Sequence, residues 1–383
     1  MILSSTMFHA GGALIEPATG VRFQAMAMGY THSAMINASN QVYTSGNQSG
    51  GKCGNGVTAN DTAWTKQFVT LPKGAIQIDA SVSGTTVLLN DNTVRYFGVG
   101  GAGCRGDGLT SDASTPITPD NADAVAQVAL GRQAHFMLKK TGKLFSSGQS
   151  GQNGHGSLVS TMTEIPDLDG VVIVQVSGGY DHSAAIDIDG NLWTWGQNNY
   201  GQIGRADGAG RYIPVKVSGM TGCLKVACGR HNTYVIKTDG TLWSVGQSAS
   251  GANGNGTTTP NLTTFAQASG VSGATDVAAG EYHGLVVTSA GVLSWGQGSS
   301  GQLVDGQTSL SGYHKTTASA TTGPVGTPQF VSAGSYQSMT ANTIGGIYAG
   351  GYGNNGQFAT TTFPGTITNF NTAAYTSETV LTP

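Results

Sequence analysis

Apolar positions along this chain alternate with polar ones in short runs and do not recur at helical spacing. Val174 and Val176 alternate with polar neighbours, Gly179-Tyr180-Asp181 interrupts the run, and a second run extends from His182 to Ile188. Asp189-Gly190 then leads into Leu192-Trp193-Thr194-Trp195. A period of two over so few residues predicts half-buried strands. Asp-Gly between two such runs predicts a hairpin, because glycine supplies the positive φ that the tight turn needs. Asp239-Gly240 and Thr141-Gly142 repeat the signal.

The unit recurs seven times, anchored on Gly29, Ser81 (in a glycine's place), Gly131, Gly179, Gly229, Gly280 and Gly334, at spacings of 52, 50, 48, 50, 51 and 54. Three residues before each anchor stand Met26, Ile78, Val128, Val176, Val226, Val277 and Val331. Thirteen after it stand Val42, Val94, Leu144, Leu192, Leu242, Leu293 and Ile347. A glycine closes each third strand, from Gly46 to Gly351, and a polar loop leads to a segment such as Ile213-Pro214-Val215, which reads as an edge strand because proline is tolerated there. One unit of three or four antiparallel strands cannot bury its own faces, so seven of them imply stacking into a closed ring over residues 1–383, a single domain. The seventh unit needs an outer strand from Ile367 to Phe370 or Thr379 to Leu381, and Val21 to Met28 supplies the leading strand of the first. Pairing of terminal segments is expected to remove exposed sheet edges.

Val176-Ser177-Gly178-Gly179-Tyr180-Asp181-His182 and Val277-Ala278-Ala279-Gly280-Glu281-Tyr282-His283 resemble the RCC1 repeat: an aliphatic residue, small residues, then Gly-x-x-His. Trp195-Gly196-Gln197-Asn198-Asn199-Tyr200-Gly201-Gln202-Ile203-Gly204 resembles that family's second element. The match runs from about residue 21 to 358 and implies an all-β, seven-bladed β-propeller. WD40 repeats are shorter, and kelch repeats lack Gly-x-x-His. The copies are unequal: histidine stands at His32, His182 and His283, whereas Gly84, Ala134, Asn232 and Gln337 replace it elsewhere.

Composition narrows the function. Glycine reaches 60 of 383 residues, charged residues make up 10%, and the net charge is −3, so no basic footprint points to nucleic acid or an anionic membrane. Cys53, Cys104, Cys223 and Cys228 are too scattered for a disulfide framework and read as small hydrophobes. The N-terminal residues lack a basic start followed by an apolar core, and no stretch reaches the roughly 18 apolar residues of a span, so neither Sec export nor membrane insertion is expected.

His32, His182 and His283 are potential metal ligands by type, but their recurrence at one place per blade favours a structural role. A hydrogen bond to a backbone turn within the same blade, beside Gly29, Gly179 and Gly280, would explain it. Asp187-Ile188-Asp189-Gly190-Asn191 lacks the full calcium-loop spacing and reads as a hairpin. Trp193, Trp195, Trp243 and Trp295 read as packing residues. No Gly-x-Ser-x-Gly, phosphate loop or His-Glu-x-x-His is present, so neither catalysis nor a cofactor or metal is expected.

Successive turns alternate between the two ends of a blade. The Gly-x-x turns and the Gly-to-Gly loops therefore share one face, and the Asp-Gly turns occupy the other. The first face is expected to gather Tyr30, Tyr180, Tyr282, Tyr336, Arg132, Arg230 and His231 at the channel mouth. Tyr200, Asn198, Asn199, Tyr352, Asn354 and Asn355 lie further out. Tyrosine and arginine are enriched at binding hot spots, which makes this the candidate binding face.

The resemblance implies a protein-binding ring without choosing its partner. Its family includes a nucleotide exchange factor for a small GTPase that docks on histones, and the fold is shared by a secreted bacterial β-lactamase inhibitor. Spacings of 48 to 54 leave no room for the exchange factor's projecting wedge, and its basic tail is absent. A Gly/Thr/Ser/Asn-rich, charge-poor chain without an export signal suggests a virion-associated propeller of a bacteriophage tail, fibre or capsid decoration. It would sit at the particle surface and bind a virion component or a host molecule. A bacterial binding or inhibitor module is the alternative, and a carbohydrate-active enzyme would need a carboxylate pair at one mouth.

Overall fold

The computed structural model describes residues 23–37, 39–58, 67–307, 311–321, 327–342, 347–352 and 366–367. These form seven four-stranded antiparallel sheets, each built from strands consecutive in sequence. Blade 4 is representative: Ile173–Gly178, His182–Asp187, Leu192–Gly196 and Arg211–Lys216 run from the channel to the rim. Its first turn follows the Gly-x-x signal. At the second, the Asp187 carboxylate accepts the N–H groups of Asp189 (3.1 Å) and Asn191 (2.8 Å), and Gly190 takes φ +76°. The carboxylate that resembles a calcium ligand is thus consumed by the hairpin.

Among the described residues, the first and last strands do not pair with each other. Phe23–Met28 is the inner strand of blade 1, and Thr366–Ile367 pairs with Ile347–Tyr352 as the outer strand of blade 7. Thr379 to Leu381 lies outside the described residues. Ring closure therefore rests on contacts between whole blades: Met28 N–H donates to Ser332 Oγ (3.2 Å), and Gln337 Nε2 donates to the Gly29 carbonyl (3.1 Å).

The inner strands run Phe23–Met28, Ala75–Ala80, Val125–Leu130, Ile173–Gly178, Cys223–Cys228, Ala274–Ala279 and Pro328–Ala333. Each has an edge turned away from its own sheet, whose backbone groups need partners. The preceding blade supplies many of them. Gln77 holds Val128 at both its N–H (3.0 Å) and its carbonyl (3.2 Å). Gln127 does the same for Val176 (3.0 and 3.0 Å), and Gln175 for Val226 (2.9 and 3.1 Å). Two residues on, Asp79 caps Leu130 N–H (2.8 Å) and Ser177 caps Cys228 N–H (3.0 Å).

The repeat histidines also work between blades. His32 Nε2 bonds Thr85 Oγ1 (2.9 Å), His182 Nε2 bonds Thr233 Oγ1 (2.9 Å), and His283 Nε2 bonds Ser338 Oγ (2.7 Å). This corrects the expected bond to a turn of the same blade: the partner is a hydroxyl of the next blade. Thr233 gives its one hydroxyl proton to the Gln202 carbonyl (2.7 Å), so His182 Nε2 is the donor in its bond. Burial holds all three imidazoles down to about 3, with Lys52 adding to the effect at His32 and His231 at His182. Trp195 and Trp295 are fully buried between blades, whereas Trp193 and Trp243 are partly exposed. All four cysteines are buried and unpaired.

Candidate functional site

The first residue after each anchor points toward the channel mouth. Tyr30, Val82, Arg132, Tyr180, Arg230, Glu281 and Ser335 ring a central cavity of about 180 Å³, walled by the ends of the inner strands. Backbone bonds fix much of this ring. Arg132 N–H donates to Gly179 O (3.0 Å), Tyr180 N–H to Gly229 O (3.0 Å), Arg230 N–H to Gly280 O (3.3 Å) and Glu281 N–H to Ser335 O (3.2 Å).

Side chains join the same blades into a belt. The guanidinium carbons of Arg132 and Arg230 lie 4.5 and 4.9 Å from the centre of the Tyr180 ring, so two cations share one aromatic. Arg230 also lies 5.6 Å from the Tyr282 ring and donates from Nη1 to its hydroxyl (3.0 Å). Glu281, itself buried, forms an ion pair with Arg230 and accepts hydrogen bonds from Ser335 and from the Tyr336 hydroxyl (3.3 Å). The Tyr282 and Tyr336 rings stand 6.3 Å apart. Arg132, 35% exposed along its side chain, ends the belt with a 3.2 Å contact to Asp181. Tyr30 is 39% exposed on blade 1.

Residues 13–317 match the family model described as the RCC1-like domain. The chain belongs to that family. It is 27% identical over 230 residues to the ultraviolet-B receptor UVR8 of Arabidopsis thaliana, covering 58% of this chain and 52% of the receptor. It is 30% identical over 226 residues to the human E3 ubiquitin-protein ligase HERC2, covering 56% of this chain and 5% of the ligase. It thus spans about half the length of one relative and a small part of the other. Among solved structures, human WBSCR16 superposes with a TM-score of 0.73 at 22% identity, covering 84% of this chain and 87% of that one. Prp20p of Saccharomyces cerevisiae, described with its binding to Gsp1p and histones, gives 0.71 at 19%, covering 82% and 80%. At these identities the superpositions establish the propeller alone.

On this RCC1-like ring the expected face residues separate into three groups. Tyr30, Arg132, Tyr180 and Arg230 line the cavity, and Tyr282 and Tyr336 stand outside it, tied in through Arg230 and Glu281. His231 is only 8% exposed, with its ring centre 4.2 Å from that of Tyr200. Burial, aided by Arg230, lowers its pKa to about 4, so it stacks as a neutral ring. Asn198 departs from expectation. It is buried, and its amide serves its own loop through Arg205 O (3.0 Å) and Ile203 N–H (3.3 Å). Asn199 and Tyr352 are exposed, and Asn354 and Asn355 lie outside the described residues.

Two carboxylates of the mouth were not anticipated. Glu281 occupies a turn position otherwise held by tyrosine, arginine or small residues, and lining up the seven copies at that position would have exposed it. Asp79 sits in the channel wall, where burial pushes its carboxyl up to about 7 against the bonds from Leu130 and Ala80 N–H. No group of three or more His, Cys, Asp or Glu among the described residues is placed to hold a metal ion. The mouth thus presents aromatic faces, guanidinium groups, two carboxyl groups and backbone edges.

Proposed function

We propose that this RCC1-like ring is a non-catalytic protein-binding module whose partner docks on the Gly-x-x face, over the channel mouth. The observation that supports this most is the Arg132–Tyr180–Arg230–Tyr282 belt, built from turns that differ from blade to blade. Diversity among repeats is what a ring needs to recognise an asymmetric partner, and loops on a rigid scaffold concentrate binding residues. The Asp-Gly turns are short, polar and alike, although Ile188 is 54% exposed beside Val172 on that face. A protein partner also agrees with the histone and Gsp1p binding in the description of Prp20p.

The test compares two sets of substitutions for capture of a partner from the native source. Tyr30, Tyr180 and Tyr282 changed to Ala should abolish capture, each hot-spot tyrosine contributing about 2 kcal/mol or more, with the fold intact. Asp189, Asp239 and Lys143 changed to Ala should leave it unchanged. The reverse pattern would place the partner on the opposite face.

A virion-associated role, in a bacteriophage tail, fibre or capsid, rests on composition alone and has no counterpart among the relatives described above. Detecting the protein in purified particles is what would establish it.

A further inference from the structure

The ring caps its inner edges unevenly. Alternate residues of an antiparallel edge strand turn both N–H and C=O away from the sheet. At the level next to the anchors these residues are Met28, Ala80, Leu130, Gly178, Cys228, Ala279 and Ala333. Ser332, Asp79 and Ser177 of the preceding blades cap Met28, Leu130 and Cys228, and Ala80 N–H bonds the neighbouring Asp79 (2.8 Å). Ahead of Gly178, Ala279 and Ala333, the capping position of the preceding blade holds Ala129, Ala227 and Ala278, which offer no acceptor. All three open residues line the cavity and are partly accessible. Each is followed, two or three positions on, by Tyr180, Tyr282 or Tyr336.

The molecule itself shows which group satisfies such an edge. Gln77, Gln127 and Gln175 each place one carboxamide across both the N–H and the C=O of an inner-strand residue, at 2.9 to 3.2 Å. A carboxylate could take the N–H but would face the carbonyl, and an ammonium would do the opposite. A primary amide matches both.

We infer that the channel mouth is a carboxamide-binding site: an asparagine or glutamine side chain on a projecting loop of the protein partner inserts between the tyrosines and pairs with the open edge of Gly178, Ala279 or Ala333, one carboxamide to one residue. This rests on the Gly-x-x face being the docking face and specifies what enters it. The capped edges of Leu130 and Cys228 lack a free N–H, so the site is confined to blades 4, 6 and 7.

The probe is N-acetylglutamine N-methylamide, titrated into the ¹⁵N-labelled 383-residue chain. The expected result is saturable shifts of the Gly178, Ala279 and Ala333 amide signals, with Leu130 and Cys228 unmoved and no response to the norvaline analogue that lacks the carboxamide. The variant Ala129→Ser/Ala227→Ser/Ala278→Ser supplies the missing caps and should bind the probe roughly tenfold more weakly, the loss of about one net hydrogen bond. The titration of the unmodified chain stands even if that variant fails to fold. Equal shifts with the norvaline analogue, or no saturable shift at the three amides, would overturn the carboxamide site. Shifts limited to the tyrosine turns would do so while leaving the docking face in place, and shifts limited to the Asp189 and Asp239 turns would overturn both.

Discussion

A Cβ built on Gly280 collides with the imidazole of His283, and one on Gly29 would come within 2.6 Å of His32 Cε1. Anchor glycine and repeat histidine are therefore one unit, the ring lying on the glycine while Nε2 reaches the next blade. Where the histidine is absent the glycine can still be required, because a Cβ on Gly131, Gly229 or Gly334 would meet the carbonyl of Gly179, Gly280 or Gly29 in the next blade; blade 2 changes both positions at once. Ser81 replaces the glycine where Gly84 replaces the histidine, and the Tyr96 hydroxyl occupies the freed space, bonding Val99 O at 2.8 Å. Gly280→Ser should cost about 1–3 kcal/mol as overpacking. Combined with His283→Gly it should cost clearly less than the sum of the two single changes, as read from urea unfolding of the four proteins of the cycle. Strict additivity would sever the link. Both columns were legible in the sequence. The histidine's partner was not, because Thr85, Thr233 and Ser338 lie 53, 51 and 55 residues away, in the following repeat.

Strands, their turns and the outer Arg211–Lys216 strand with its Pro214 follow directly from alternation and turn residues. What the pattern did not reveal is how blades grip one another, since the glutamines at 77, 127 and 175 look like ordinary polar strand positions. Their role appears only when the inner edge of the next blade is placed beside them. Gln127→Leu leaves both backbone groups of Val176 without their partner, at a cost of about 1–3 kcal/mol. Hydrogen exchange should report it locally: the Val176 amide accelerates while Val226, still held by Gln175, stays protected. Equal protection of Val176 in both proteins would show that the clamp is dispensable.

At the scale of the whole ring, burial sets the response to acid. His32, His182 and His283 are held down to about 3 and His135 and His231 to about 4, against an ordinary 6.5. The unfolded chain therefore binds more protons between these values. The stability these groups contribute is complete above about pH 6.5 and is lost as pH falls toward their folded values. Asp79, raised to about 7, acts in the opposite sense: its contribution is full below the ordinary carboxylate range and is lost as pH rises through about 7. Five histidines oppose one carboxyl, so Tm should fall steadily from about pH 6.5 to about pH 4. A flat or rising Tm over that interval would contradict the burial assigned to them. The two faces and the residues gathered at the mouth were legible from turn alternation, but the contacts that join them into a belt were not, because its members come from turns about 50 residues apart. The central claim, that a protein partner sits over this mouth, is tested most directly by photo-crosslinking in the native source, with p-benzoylphenylalanine placed at position 180 or at position 189. An adduct with a second protein from position 180, and none from 189, is the predicted result; an adduct from 189 alone would contradict it.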